Sequence, residues 1–311
     1  MRQEVTRTSR VLVGVIAAAL ALAACGSGDD TDSTAPASSV RTVAHAHGST
    51  EVSDAPQRVV VLEPVQLDTS IALGVVPVGA AVFSEATGVP AYLGEKAASV
   101  AMAGTVAAPN VEKIAALNPD LIIGTETRHA DLYDQLAAIA PTVYMASQAD
   151  PWQDNVRFVA DALGRGSEAQ ALLDDYTARC TEVATKHGTE GKTAQLIRPR
   201  EDVLTLYGPT SFAGSTLECA GFTIPPRDWQ NSISVDVSPE LAPEAKADLV
   251  VVTSATPADP ASVPTVVTDK ALFPNMHVVD MSYWITGVGP LGGMTVLDDL
   301  DDILTGESAN N

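Results

Sequence analysis

The sequence predicts an α/β protein of two similar lobes joined by a single long, rigid α-helix. Three features of the chain predict it. The stretch 110–124, NVEKIAALNPDLIIG, returns in altered form at 238–252 as SPELAPEAKADLVVV, and internal similarity at this separation marks two lobes built alike. Strand-like and helix-like segments alternate along each half, the pattern of a mainly parallel sheet covered by helices. Between the halves lies 167–187, SEAQALLDDYTARCTEVATKH, about 30 Å of helix at 1.5 Å per residue. A flexible linker would instead be rich in Gly and Ser.

The chain of 311 residues exceeds the usual single-domain size, which makes two domains the natural division. Its formal charge of −21, from 39 acidic against 18 basic residues, argues against nucleic acid or an anionic membrane face as a partner. The acidity reads as a solvated surface. Aromatic residues make up only 5% of the chain, so each Trp and Tyr is worth placing.

The N-terminus is a targeting signal over residues 1–24. Arg2, Arg7 and Arg10 form its positive region, residues 11–23 its apolar region, and Leu22, Ala23 and Ala24 its cleavage site. The apolar run is short for a membrane span. Leu22-Ala23-Ala24-Cys25 resembles the lipobox of bacterial lipoproteins. That resemblance implies that Cys25 becomes the first residue of the mature chain and carries acyl chains. These would hold the protein on the extracytoplasmic face of the cell membrane, at about 0.8 kcal/mol per buried methylene. The competing reading is an ordinary secreted protein with a cysteine near its start. Residues 25–50 are expected to comprise the lipidated cysteine and a disordered tether rich in Gly, Ser, Thr, Asp and Ala. His45 and His47 fall here without a third ligand at recognisable spacing, and no metal site is assigned.

The N-terminal lobe is expected over 51–166. Residues 58–62, RVVVL, read as a buried strand; 66–73 as a helix stopped at Gly74; and 75–82, VVPVGAAV, as extended. In the repeat, Asn110 is a good N-cap, Glu112 sits in the first helical turn, and LIIG follows as a buried strand. Residues 130–139 then read as helix, 142–145 as strand and 152–163 as a helix ending at Gly164. The connecting helix over 167–188 has Ser167 as its expected cap and Gly188 as its stop. The C-terminal lobe, 189–307, carries AQLIR and VLTLYG as strands, a helix led by SFAG, the second repeat with Ser238 as its cap, LVVVTS, and a final helix near 295–304. Residues 308–311 are a tail.

Cys180 and Cys219 are the remaining cysteines. An exported chain lives in disulfide-permissive surroundings, and a bridge between them would stabilise by about 3–4 kcal/mol. Two buried free thiols are the alternative.

From Arg58 to Leu304 the chain resembles the substrate-binding lipoproteins of ABC importers for ferric siderophores, haem and cobalamin. The segments that carry the resemblance are RVVVLEPVQLDTSIALGVVPVGA, NVEKIAALNPDLIIGTETRHADLYDQLAAIAPTV, RPREDVLTLYGPTSFAGSTLECAGF and SYWITGVGPLGGMTVLDDL. TRHADLYDQL and LYGPTSFAG look closest to the subgroup that takes iron(III) hydroxamate or citrate-type siderophores. The resemblance implies a ligand held in the cleft between the lobes, no intrinsic cofactor, and delivery to an ABC permease driven by a cytoplasmic ATPase. It also implies a protein that acts as a monomer.

A ferric siderophore presents anionic oxygens on a bulky chelate, so its cleft needs guanidinium donors and aromatic walls. Arg128 follows the strand LIIG, at the carboxyl end where open α/β sheets bind ligands. Arg198 and Arg200 stand two apart in an extended stretch and share one face. Tyr207 and Trp284 are the aromatic candidates, the latter in the Gly-rich stretch SYWITGVGP, with core packing as the competing use. Glu63 follows the first strand where similar proteins place a cleft residue, although Pro64 and Val65 replace the aromatic and polar residues expected beside it. His129 is read as a neighbour of the site.

In similar proteins a glutamate at the positions of Glu112 and Glu240 meets arginines of the permease. Two exposed carboxylates, one per lobe, would govern docking more than raw affinity. The competing reading is a favourable helix-dipole interaction that needs no partner. There is no Gly-x-Ser-x-Gly elbow, no phosphate loop and no zinc signature, so no catalytic residue is assigned. A zinc- or manganese-binding, haem-binding or cobalamin-binding transport lipoprotein is the nearer alternative. A secreted hydrolase and a non-transport surface protein are more distant ones.

Overall fold

A computed structural model describes residues 39–306. The expected signal peptide, Cys25 and the expected tail at 308–311 lie outside them. The described chain opens with an antiparallel hairpin, β1 (Val40–His45) and β2 (Gly48–Ser53), where a tether was expected. Only Val43 and Val52 of the hairpin are buried among its Val side chains, too short a signal to stand out from polar surroundings. The hairpin places His45 and His47 on the folded body. His47 stacks on Tyr133 with ring centroids 3.8 Å apart.

The N-terminal lobe follows as β3 (Val59–Val61), α1 (Pro64–Ala72), β4 (Gly79–Val82), β5 (Ala101–Thr105), β6 (Ala108–Pro109), α2 (Val111–Ala116) and β7 (Leu121–Thr125). It is completed by α3 (Glu126–His129), α4 (Tyr133–Ala137), β8 (Thr142–Met145) and α5 (Trp152–Leu163). The six strands run β6-β5-β4-β3-β7-β8, parallel except for β6. Strands β3 and β7 are buried throughout, and all but Thr125 of their residues are apolar or Gly, because helices cover both faces of the sheet. The single helix expected over 130–139 is broken into a 3₁₀ turn, Ala130–Leu132, and α4, with α3 preceding them.

The connecting helix α6 (Gly166–His187) starts after Arg165, and Ser167 lies within its first turn with its hydroxyl on Glu168. It stops at Gly188, whose φ of 56° supplies the left-handed C-cap. The C-terminal lobe is β9 (Ala194–Arg200), β10 (Val203–Tyr207), α7 (Phe212–Cys219), β11 (Ser234–Val237), β12 (Leu249–Ser254), α8 (Thr265–Thr268), β13 (Met276–Asp280), α9 (Met281–Trp284) and α10 (Pro290–Thr305). Its sheet, β11-β10-β9-β12-β13, is parallel over β9, β12 and β13 and antiparallel over the two hairpin strands.

The repeat has a structural counterpart that its sequence only outlines. The Asp120 carboxylate accepts the Gln57 and Arg58 amides at 2.7 and 2.8 Å, fixing the start of β3 beside β7. Asp248 does the same for β9 beside β12, accepting the Thr193 amide at 2.7 Å and its hydroxyl at 2.9 Å. These bonds hold the Asp248 carboxyl below the usual range. The helix starts diverge. Asn110 caps α2 by accepting the Lys113 amide, whereas Ser238 makes no cap and donates to Glu240 at 2.6 Å. With Pro243 inside it, the second copy is a 3₁₀ segment, Pro239–Ala245.

The final helix begins at Pro290, five residues before the expected start. Its first-turn glycines read as loop in the sequence, yet a Cβ at Gly293 would stand 2.9 Å from the Tyr176 ring on α6. The glycines let α10 press against its neighbours. Asp301 of α10 then accepts from Arg179, Lys186 and His187, all on α6. One apolar cluster runs from Val65 and Met145 through Tyr176 to Leu196 and Val251, so the core is continuous from the first lobe through α6 into the second. Cys180 on α6 and Cys219 on α7 form a disulfide, with Cα atoms 5.4 Å apart.

Candidate functional site

The carboxyl ends of β3, β4 and β7 from one lobe and of β9 from the other border a cleft of about 590 Å³. Crevices at the carboxyl ends of parallel strands are where open α/β sheets place ligands. Glu63, Arg128, Arg198, Arg200 and Tyr207 all line it. Most of the remaining wall is apolar: Val65, Phe83, Val106, Ile233, Ile285 and Val288.

On the first lobe Gln66 organises the site. Its carboxamide oxygen accepts the Leu62 and Glu63 amides at 2.8 and 3.0 Å, and its nitrogen donates to the Gly124 carbonyl at 2.9 Å. One side chain thereby ties the end of β3 to the end of β7, which carry Glu63 and Arg128. The Arg128 guanidinium lies 3.3 Å from Glu63 Oε1. Glu63 is only 2% exposed, and burial pushes its carboxyl up to about 7, against the opposing pull of Arg128 and the Thr125 hydroxyl. His129 sits behind this pair. It accepts the Thr125 amide through Nδ1 and meets the Val106 carbonyl through Nε2, the pattern of a neutral ring whose burial lowers its pKa. It braces the loop and leaves contact with the cleft to Arg128.

The opposite wall belongs to β9. Arg198 and Arg200 alternate with Pro199 and project on one side of the strand. Among the described residues neither makes an ion pair, although acidic side chains outnumber basic ones two to one. Arg198 instead places its guanidinium 5.7 Å from the centre of the Phe83 ring, across the cleft on the first lobe. Phe83 was missed in the sequence. It follows β4 directly and is 49% exposed, so its position at a strand end in a chain poor in aromatics was the usable signal.

Residues 59–270 match the profile of a family described as periplasmic binding protein. The chain belongs to the periplasmic binding protein family. Among curated relatives it is 34% identical over 244 residues to a probable siderophore-binding lipoprotein of Bacillus subtilis, YfiY, covering 75% of each chain. It is 30% identical over 229 residues to the Fe(3+)-citrate-binding protein YfmC of the same organism, covering 72% of each. Among solved structures it is similar to SirA of Staphylococcus aureus complexed with staphyloferrin B, at a TM-score of 0.73 and 28% identity, over 85% of this chain and 98% of that one.

In this periplasmic binding protein two expected site residues stand differently. Trp284 is 0% exposed and packs in the core behind the cleft, donating its indole N–H to Asp299 at 2.6 Å. Within the stretch read as a ligand-presenting loop, Trp284 ends α9, which turns its side chain inward, while the loop that follows lines the cleft with Ile285, Thr286 and Val288. Tyr207, 8% exposed, offers the cleft only part of its ring. Glu112, in the first turn of α2, and Glu240, in the 3₁₀ segment of the second repeat, are both exposed. Among the described residues no three His, Cys, Asp or Glu side chains are grouped to hold a metal ion.

Proposed function

We infer that this chain is the extracytoplasmic substrate-binding component of an ABC importer, and that its cleft captures a ferric siderophore for delivery to the membrane permease. The observation that carries the reading is the arginine arrangement. Three guanidiniums line one apolar cleft in a strongly acidic protein, and the two on β9 have no carboxylate partner among the described residues. Unpaired guanidiniums beside apolar walls suit a bulky ligand with several anionic oxygens, because the anion replaces lost hydration and the walls bury its carbon skeleton. Relatives named for siderophore and ferric-citrate binding support the same class of ligand.

Arg128, Arg198 and Arg200 bind the chelate oxygens, Glu63 adjusts Arg128, and Phe83 and Tyr207 wall the chelate. The protein works without an intrinsic cofactor and without catalysis; iron arrives and leaves as cargo. The lobes are 51–166 and 189–307, joined by the 167–188 helix, with the hairpin from Val40 added to the first. Cys25 is the site of lipid attachment, and Glu112 and Glu240 are the permease contacts, one on each lobe. The test is a fluorescence titration with ferric citrate, a ferric hydroxamate and a ferric catecholate, alongside zinc and haem. Saturable 1:1 binding of a ferric chelate is expected; tight zinc or haem binding with no response to any ferric chelate would overturn the reading.

A further inference from the structure

The cleft contains a carboxylate that the capture of an anion leaves in an unusual position. Glu63 is buried at the start of α1, on the side of the cleft where the ligand's negative oxygens are to be received. Its Oε1 is fully buried and accepts no hydrogen bond; what it has is the Arg128 guanidinium at 3.3 Å. Arg128 itself is 38% exposed, so one side of its guanidinium is open to the cleft. The other groups around Glu63 do not replace it. From α1 the Gln66 carboxamide is committed to backbone, from β7 the Thr125 hydroxyl is neutral, and from the ends of β4 and β5 come the apolar Phe83 and Val106. His129 is neutral and faces away, toward the Val106 carbonyl. The α9–α10 loop contributes Ile285, Thr286 and Val288, and Arg198 and Arg200 stand on the opposite wall.

We propose that ligand capture at this site is coupled to proton uptake: an anionic oxygen of the ferric chelate takes over the Arg128 guanidinium, and the Glu63 carboxylate it displaces accepts one proton from solvent to become a neutral carboxylic acid. The balance is simple. The ligand anion is neutralised by Arg128, and the charge that Arg128 had neutralised is removed by the added proton. No bond other than O–H forms. A carboxylate kept ionised here, buried and facing an anion without its counter-ion, would meet both a desolvation cost and like-charge repulsion. The free protein is already poised for the change, since burial holds this carboxyl near neutrality. Linkage then requires that affinity rise as pH falls, because the bound state holds more protons than the free state. The same coupling gives the permease a means of release: restoring the Glu63–Arg128 pair expels the ligand anion and returns the proton.

This inference rests on the proposed function, and calorimetry separates the two. Ferric citrate, and a ferric hydroxamate if citrate is not bound, is titrated into the protein at pH 7.5 in phosphate, imidazole and Tris buffers, whose ionisation heats differ. The expected result is a heat that depends linearly on buffer ionisation enthalpy, with a slope corresponding to net uptake of up to about one proton. From pH 7 to 9 the affinity of the wild type should weaken by as much as about tenfold per unit. In Glu63→Gln the uptake should vanish and the pH profile flatten. Binding with the same heat in every buffer overturns this inference and leaves the functional reading standing, as does uptake that persists undiminished in Glu63→Gln. If that variant fails to fold, the wild-type buffer series alone still decides. Absence of binding by both chelates overturns the functional reading and this proposal with it.

Discussion

Asp68, on the first helix of the N-terminal lobe, accepts the amide of Gly292 at 2.8 Å, joining two residues 224 positions apart. The same carboxylate accepts the Leu291 amide at 2.9 Å and the Tyr92 hydroxyl at 2.9 Å. It is a helix cap supplied in trans: α10 of the second lobe starts against a buried carboxylate of the first, where the orphan amides and the helix dipole both favour an anion. Together with the shared core around α6, this bond resists independent movement of the lobes.

Replacing Asp68 by Ala leaves the buried Gly292 amide, the partly buried Leu291 amide and a phenol without an acceptor and should cost about 3 kcal/mol in urea unfolding. Burial pushes the Asp68 carboxyl up to about 7 from its ordinary value of 3.8. Its folded pKa thus exceeds its unfolded one, so the folded state holds the extra proton between about pH 4 and 7. The stability linked to this group is full below that window and lost as pH rises through it. Asp68→Asn should flatten that part of the stability profile, and an unchanged profile would refute the assignment.

Glu112 and Glu240 are predicted to act on transport and leave capture alone. The double change to Ala should keep ferric-chelate affinity within about threefold of wild type while abolishing uptake by cells. Normal uptake would return both residues to the helix-dipole role that a first-turn glutamate fills without a partner.

Trp284 and Tyr207 should separate in the opposite sense. Trp284→Phe removes the buried indole's hydrogen bond to Asp299 and should cost roughly 1–3 kcal/mol of stability with little change in affinity. Tyr207→Ala, at the cleft wall, should weaken ligand binding. Denaturant melts paired with binding titrations check both, and a ligand-binding defect confined to Trp284→Phe would contradict the placement.

The cystine closes a loop between residues 39 positions apart. Constraining an unfolded chain over that span is worth about 4 kcal/mol, and Cys180→Ser with Cys219→Ser should lose up to this amount. A melting curve unmoved by the substitutions or by reductant would show that the thiols are free.

What the sequence revealed were features set by local pattern. Aliphatic runs marked β3, β7 and β12; the repeat marked equivalent strands; and a strand end marked Arg128. The i, i+2 spacing of Arg198 and Arg200 put them on one face because a strand allows no other outcome. Features set by distant partners stayed hidden. Asp68 sits in a helix as an unremarkable polar residue, and only Leu291 and Gly292, far along the chain, show its purpose. Gly292 and Gly293 looked like a loop because close helix approach and loop freedom call for the same residue. Trp284 looked presentable to ligand because the four-residue α9 leaves too short a pattern to tell which way it points. The hairpin at β1 and β2 was hidden by a polar composition that suits a two-stranded element with few buried side chains.

Capture of the ferric siderophore rests on cleft guanidiniums, Arg198 and Arg200, that make no ion pair among the described residues. Its most direct measurement is the dissociation constant of the ferric chelate selected in the titration panel, for wild type and for Arg198→Gln with Arg200→Gln, at equal folded stability. Loss of two charge-assisted contacts should weaken binding by about 100-fold, or roughly 2.8 kcal/mol. Unchanged affinity for the ferric chelate in the double variant would contradict the account.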